Sequence, residues 1–267
     1  MTEPSRVSDE EGTLRGPSLS HSKVSRYLHC PEQYRLYYVE RLRLRVPAAG
    51  LIFGQILHQV LAQFFRTKED PVESFRMIWA AIQDRELRYG ARESWKQLAD
   101  AGESLLKRFL AEDLSHLGAI EAIEQVFRLQ ITSLAAPFVG VVDLVAELDG
   151  RRTVIDFKTA AKVYAEHEVV LADQLTAYEL AHPDADQVAL CVFVKTSKPE
   201  IHWYTAERKP EEITGYVRKV EVVGQAIAAE QFYRRPGWWC GMCDYLPVCL
   251  RDEAKVRETL VQLPASN

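Results

Sequence analysis

Residues 49–65, AGLIFGQILHQVLAQFF, carry apolar side chains at 53, 56, 57, 60, 61 and 64. That spacing predicts a helix with a wide buried stripe, and His58 falls at the edge of the stripe, one turn after Gly54. Upstream, LSHSKVSRYLHCPEQYRLYYVERL (19–42) begins with Ser20 as a helix N-cap and with Leu19 placed to staple onto Val24. Pro31 breaks this helix and opens a second one at its first position, which puts Cys30 at the junction. Helical spacing continues through FRMIWAAI and LLKRFLAEDL, so residues 66–118 read as a helical insertion.

The period then changes to two. In EQVFRLQI (124–131) Phe127, Leu129 and Ile131 alternate with polar neighbours, and FVGVVDLVAEL and RRTVIDFK follow as further strands. LADQLTAYELAH is a short helix, QVALCVFVKT a buried strand and EIHWYTA a partly exposed one. A long helix over 210–231 leads into FYRRPGWWCGMCDYLPVCL (232–250), too rich in Cys, Pro and Gly to be regular. Helices, three strands, a helix, two strands and more helices predict an α/β fold around a mixed sheet. Residues 1–17 are polar and aperiodic and read as a disordered segment ahead of one domain over 18–267.

Two acids interrupt the apolar strands. The Asp149-Gly150 dipeptide predicts a two-residue type I′ hairpin, in which Leu148 pairs with Arg151 and Val145 with Val154. The same count sets Asp143 opposite Asp156, with Lys158 on the face of Asp156. Facing carboxylates beside apolar residues repel unless a cation lies between them, and Mg²⁺ or Mn²⁺ meets that need with oxygen ligands. A slipped register, or a structural pair neutralised by Lys158, are the competing readings.

Composition narrows the partners. The net charge of −5 gives no bulk support for a nucleic-acid partner, so any such contact needs a local basic patch. No apolar run approaches the ~20 residues of a membrane span, the N-terminus lacks a signal-peptide core, and a cytoplasmic location is expected. Five cysteines in such a chain read as metal ligands or buried thiols, with Cys191 inside an apolar strand as a buried one.

GVVDLVAELDGRRTVIDFKT resembles the core motif of the PD-(D/E)XK nucleases, in particular the RecB-like branch that includes CRISPR-associated exonucleases. GQILHQVL resembles that branch's histidine helix, IEQVFRL its glutamate-bearing strand, and DQLTAY its Q-x-x-x-Y motif, so the resemblance runs from Leu19 to Cys249. It implies a restriction-endonuclease-like fold and one or two Mg²⁺ or Mn²⁺ ions held by His58, Asp143, Asp156 and the backbone carbonyl of Phe157. It further implies catalytic roles for Lys158, Glu124, Gln174 and Tyr178. Val142 stands where the namesake proline would be, and the second acid is Asp156 rather than Glu.

From spacing alone, Cys30 with Cys240-x2-Cys243-x5-Cys249 suits a zinc site or a Cys₄ iron-sulfur cluster equally. The resemblance favours a 4Fe-4S cluster joining the two ends of the domain. Arg26, Arg35, Arg41, Arg43 and Arg45, interleaved with Tyr27, Tyr34, Tyr37 and Tyr38, and Arg234, Arg235, Trp238 and Trp239 would then form a DNA-gripping surface; solvated arginines over core tyrosines are the alternative. The expected activity is a metal-dependent nuclease, an exonuclease on single-stranded DNA ends in repair or CRISPR adaptation, with a helicase or integrase partner. A non-catalytic iron-sulfur scaffolding subunit is the alternative.

Overall fold

The computed structural model of the chain describes residues 18–91, 93–196 and 198–264, so the disorder expected for residues 1–17 lies outside the described residues. Ser20 caps helix α1 (His21–His29), its hydroxyl accepting from the Lys23 amide at 3.2 Å. Cys30 separates α1 from α2 (Pro31–Tyr34), which widens into a π-helical turn over Arg35–Val39. A short strand, β1 (Leu42–Leu44), precedes the predicted apolar helix, α3 (Ala49–Thr67).

α4 (Pro71–Ala81) and α5 (Trp95–Arg108), capped by Asp70 and Ser94, pack onto α3. Their Phe75, Trp79, Leu105 and Leu106 share one cluster with Phe53 and Leu57 of α3 and with Leu144, Ile155, Phe157 and Phe193 of the sheet. Residues 66–118 therefore build one side of the main core rather than a module beside it.

The sheet has the order β2-β3-β4-β5-β6, with β2 (Leu117–Leu129), β3 (Phe138–Leu148), β4 (Arg151–Ala160), β5 (Gln187–Val194) and β6 (Glu200–Ala206). β4 and β5 are parallel and the other neighbours antiparallel, giving the mixed sheet that the element order predicted. β2 starts at Leu117 instead of 124 and stops before Ile131, whose side chain is buried in a turn. Two helices, α6 (Glu166–Val170) and α7 (Asp173–Ala181), make the crossover that a parallel pair requires. They join α1 and α8 (Pro210–Ala228) over the second sheet face, where Val24, Leu175, Tyr178, Val220 and Val223 pack on Val145, Val154 and Val188.

The C-terminal segment adds elements with no periodic pattern of their own: a 3₁₀ turn over Trp238–Met242, α9 (Leu246–Leu250), α10 (Glu253–Thr259) and β7 (Leu260–Gln262). β7 pairs with β1 in a separate two-stranded sheet over a small cluster of Leu36, Tyr245 and Leu260. Among the described residues no helix is long and apolar enough to cross a membrane.

Candidate functional site

Asp149 (φ 50°) and Gly150 (φ 79°) both adopt the left-handed backbone that a type I′ turn needs, and the hairpin register follows: Leu148 pairs with Arg151, Val145 with Val154 and Leu144 with Ile155. The ladder ends there. One residue further the strands part, and Asp143 does not pair with Asp156 as the count predicted. Instead its Oδ2 accepts from the backbone N–H of Phe157 at 2.8 Å, a side chain occupying the place of a ladder carbonyl. The facing of β3 slips at the same point, since Val142 and Val145 both join the cluster under α7 while Leu144 and Ala146 join the cluster under α3. This opening lets helices from both sheet faces reach one spot. From α3, His58 Nδ1 lies 3.3 Å from Asp143 Oδ1.

Asp156 is 2% exposed and is gripped from the other face. Its Oδ1 accepts from the Tyr178 hydroxyl at 2.6 Å and from Gln174 Nε2 at 2.9 Å. Gln174 and Tyr178 stand four residues apart on α7 and contact each other at 2.6 Å, as a shared helix face dictates. The other oxygen, Oδ2, has the Lys158 ammonium 2.7 Å away. Burial raises the Asp156 carboxyl above the usual carboxylate range, with the Asp143 charge adding to it and Lys158 opposing. Burial lowers the affinity of His58 and Lys158 for a proton, but the neighbouring carboxylates outweigh it and both pKa values end above their ordinary ones.

A cavity of about 240 Å³ opens on Lys158, lined also by Gln174, His21, Tyr164, Glu168 and Asp173. His21 and Tyr164 are site residues that sequence reasoning missed. His21 follows the Ser20 cap, so its place at a helix start was legible, but not the wall it would meet. Tyr164 lies in the loop after β4, where no periodic pattern exists. Burial pulls the His21 imidazole down to about 4, reinforced by the charges of Lys158 and Lys219 and opposed by Asp173.

Other expected residues are placed differently. Glu124 sits at φ 47° in β2, and its carboxylate pairs with Arg66 at 2.5 Å instead of reaching Asp143 or Asp156. Tyr27 and Tyr34 are core residues, 6% exposed each, so they cannot offer faces to bases. Arg26 and Arg43 bracket the Tyr37 ring at 3.7 and 3.4 Å, and Arg35 is taken by Glu32 and Glu40. Arg234 donates to the Cys249 carbonyl and Arg235 to those of Leu28 and His29, while Trp238 is 80% exposed.

The Arg235 bonds draw the two cysteine-bearing stretches together, as does the Glu32 amide bonded to the Tyr233 carbonyl at 3.0 Å. Cys30, Cys240, Cys243 and Cys249 are free and partly buried. Burial raises the Cys249 thiol; Arg234 opposes this, and nearby Cys243, Glu32 and Cys30 add to it. Cys191 is fully buried, as its strand position predicted.

Among the described residues no group of three or more His, Cys, Asp or Glu side chains is gathered tightly enough to enclose a metal ion. For Mg²⁺ that is no obstacle, because it is ordinarily held by one or two carboxylates with waters and substrate oxygens completing the shell. Asp143 and Asp156, beside an imidazole, are a donor set of that kind. The buried Asp156 Oδ2, with only a cation beside it among its hydrogen-bonding neighbours, gives the set an oxygen free of amide donors.

Comparison with solved structures gives a match to a crystal structure described as "Putative exonuclease" from Eubacterium rectale, with 12% identity, a TM-score of 0.55, and coverage of 93% of this chain and 91% of that one. A second, described as SSO0001, is 14% identical with a TM-score of 0.37 over 85% and 92% of the two chains. No curated protein matches the chain. The family model described as the PD-(D/E)XK nuclease superfamily matches residues 18–250, which include every residue of the site above. With its five-stranded mixed sheet between helical layers, the chain belongs to the PD-(D/E)XK nuclease superfamily and has the restriction-endonuclease-like fold.

Proposed function

We propose that this chain is a metal-dependent deoxyribonuclease that acts on single-stranded DNA ends. The observation that carries the reading is the convergence of His58, Asp143, Asp156 and Lys158, from both sheet faces, on the point where β3 and β4 part. Asp143, Asp156, His58 and the Phe157 carbonyl would hold Mg²⁺ or Mn²⁺, which when bound supplies Lewis acidity at a phosphoryl oxygen and a more acidic water. Glu124, committed to Arg66, is left out of that ligand set. Gln174 and Tyr178 donate to Asp156 Oδ1 and so fix the direction of its carboxylate and favour its charged form. Lys158 lines the cavity with its ammonium beside Asp156, from where it would donate to the phosphate and offset charge developing on it.

We further propose that Cys30, Cys240, Cys243 and Cys249 hold a 4Fe-4S cluster, with zinc as the alternative; the reading rests on four free cysteines at that spacing and on the Arg235 bond that ties the segment carrying Cys240, Cys243 and Cys249 to the end of α1. Trp238, Arg26 and the backbone-bonded arginines around it would offer a secondary DNA contact. A helicase or integrase partner, and a role in repair or CRISPR adaptation, fit a nuclease of this kind.

The test is incubation of anaerobically purified protein with end-labelled single- and double-stranded DNA and Mg²⁺ or Mn²⁺. Degradation of the single strand that Asp143→Ala abolishes is the expected result. Degradation undiminished in that variant would remove the assignment.

A further inference from the structure

β6 is the edge of the main sheet, and it ends the sheet on the side of the cavity that contains Lys158. Side chains two apart on a strand share a face and stand about 6.6 Å apart. On β6, His202 and Tyr204 are such a pair, with ring centroids 6.3 Å apart and planes 27° from parallel. Trp203, between them, points the other way, and its indole N–H donates to Asp113 at 2.8 Å. Tyr164 continues the row: its ring lies 6.4 Å from that of Tyr204 at 30°, and the Tyr204 hydroxyl donates to the Tyr164 carbonyl at 3.0 Å. Tyr164 is also a wall of the cavity. Three near-parallel rings thus run from the wall of the Lys158 cavity outward along an unpaired sheet edge.

These rings are only partly buried, and His202 keeps a third of its side chain exposed. α6 packs beside β6, and large apolar side chains on and next to it are also exposed: Val163, Val170 and, at 75%, Leu171. Of the charge pairs on this face, Glu200 holds His202 and Glu168 lies beside Lys162. An anionic phosphate backbone gains little from such a surface. The flat faces of unpaired bases gain more, since every base can stack on an aromatic ring whatever its sequence.

We propose that Tyr164, Tyr204 and His202 form a stacking track for the bases of an unpaired nucleic-acid strand whose phosphate enters the Lys158 cavity. The inference rests on the nuclease reading and adds to it the surface that holds the strand beside the site. A duplex, whose bases are already stacked on one another, gains nothing from the track.

The experiment reads binding apart from cleavage. Fluorescence anisotropy of a labelled single-stranded oligonucleotide, with chelator present to remove divalent ions, is compared for wild type, Tyr204→Phe and Tyr204→Leu, each checked for a native melting transition. Tyr204→Leu should weaken single-strand binding about tenfold and leave duplex binding unchanged, while Tyr204→Phe should match wild type. If the leucine variant does not fold, His202→Ala, at a partly exposed edge position, should weaken binding several-fold. Wild-type affinity in the leucine or alanine variant, an equal loss on duplex, or no single-strand binding by wild type would each overturn the track. Binding that depends on Tyr204 in a protein that cleaves nothing once Mg²⁺ or Mn²⁺ is restored would overturn the nuclease reading and leave the track standing.

Discussion

The acid site and the cysteine segment are built in opposite ways. Asp143, Asp156, Lys158 and His58 stand on long regular elements, with Leu144, Ile155 and Phe157 packed immediately beside them and at most 2% exposed. The cysteine segment has short helical turns, a three-residue strand pair, and a buried cluster of Leu36, Tyr245 and Leu260. Its exposed residues include Trp238, Met242 and Leu250. Where a large core surrounds a site, the chain holds costly charges in place unaided. Where it does not, the proposed cysteine-held cluster would supply the order.

Substitutions should separate the two regions. Asp156→Asn removes a charge from the acid site without changing its shape, so cleavage should fall by about a thousandfold while the melting temperature stays within a few degrees. End-labelled assays beside calorimetry would check both halves. Cys243→Ser should do the reverse, with iron or zinc content and several degrees of melting temperature lost, and the remaining folded protein still cleaving. Metal analysis with thermal scans reads that outcome; unchanged metal content and stability would mean the thiols carry no staple.

Tyr178→Phe removes one of the two donors to Asp156 Oδ1 but keeps the ring packed. A roughly tenfold drop in kcat with KM held is expected from steady-state kinetics. The last effect concerns His21 and is on stability instead of rate. Its folded pKa, about 4, lies below the ordinary 6.5, so the folded state binds fewer protons than the unfolded one between those values. Stability therefore falls as pH drops through that window. His21→Gln should flatten the fall, by on the order of 2 kcal/mol near pH 4.5, in melting curves taken against pH.

What could be read from the chain follows the range of the forces involved. The Asp149-Gly150 turn fixes the hairpin count by local backbone geometry, and that count holds as far as Leu144 and Ile155. The helix cap at Ser20, the helix start at Pro31, and the four-residue spacing of Gln174 and Tyr178, are local in the same sense. The parting of the strands at Asp143 is not local. It brings together His58 on one sheet face and Tyr178 on the other, which strand alternation by itself cannot express. Glu124 carried a family motif, yet its left-handed backbone and Arg66 took its carboxylate elsewhere. The pairing of β1 with β7 joins residues 42 and 262 through strands too short to show a period.

In the proposed reaction the parted hairpin end cleaves phosphodiester bonds and Lys158 supplies its positive charge. The most direct measurement is the single-turnover rate at which wild type and Lys158→Ala release label from end-labelled single-stranded DNA in Mg²⁺. Wild type should release label rapidly, and the variant at least about a hundredfold more slowly with the fold intact. Equal rates in the two proteins would contradict that role of Lys158.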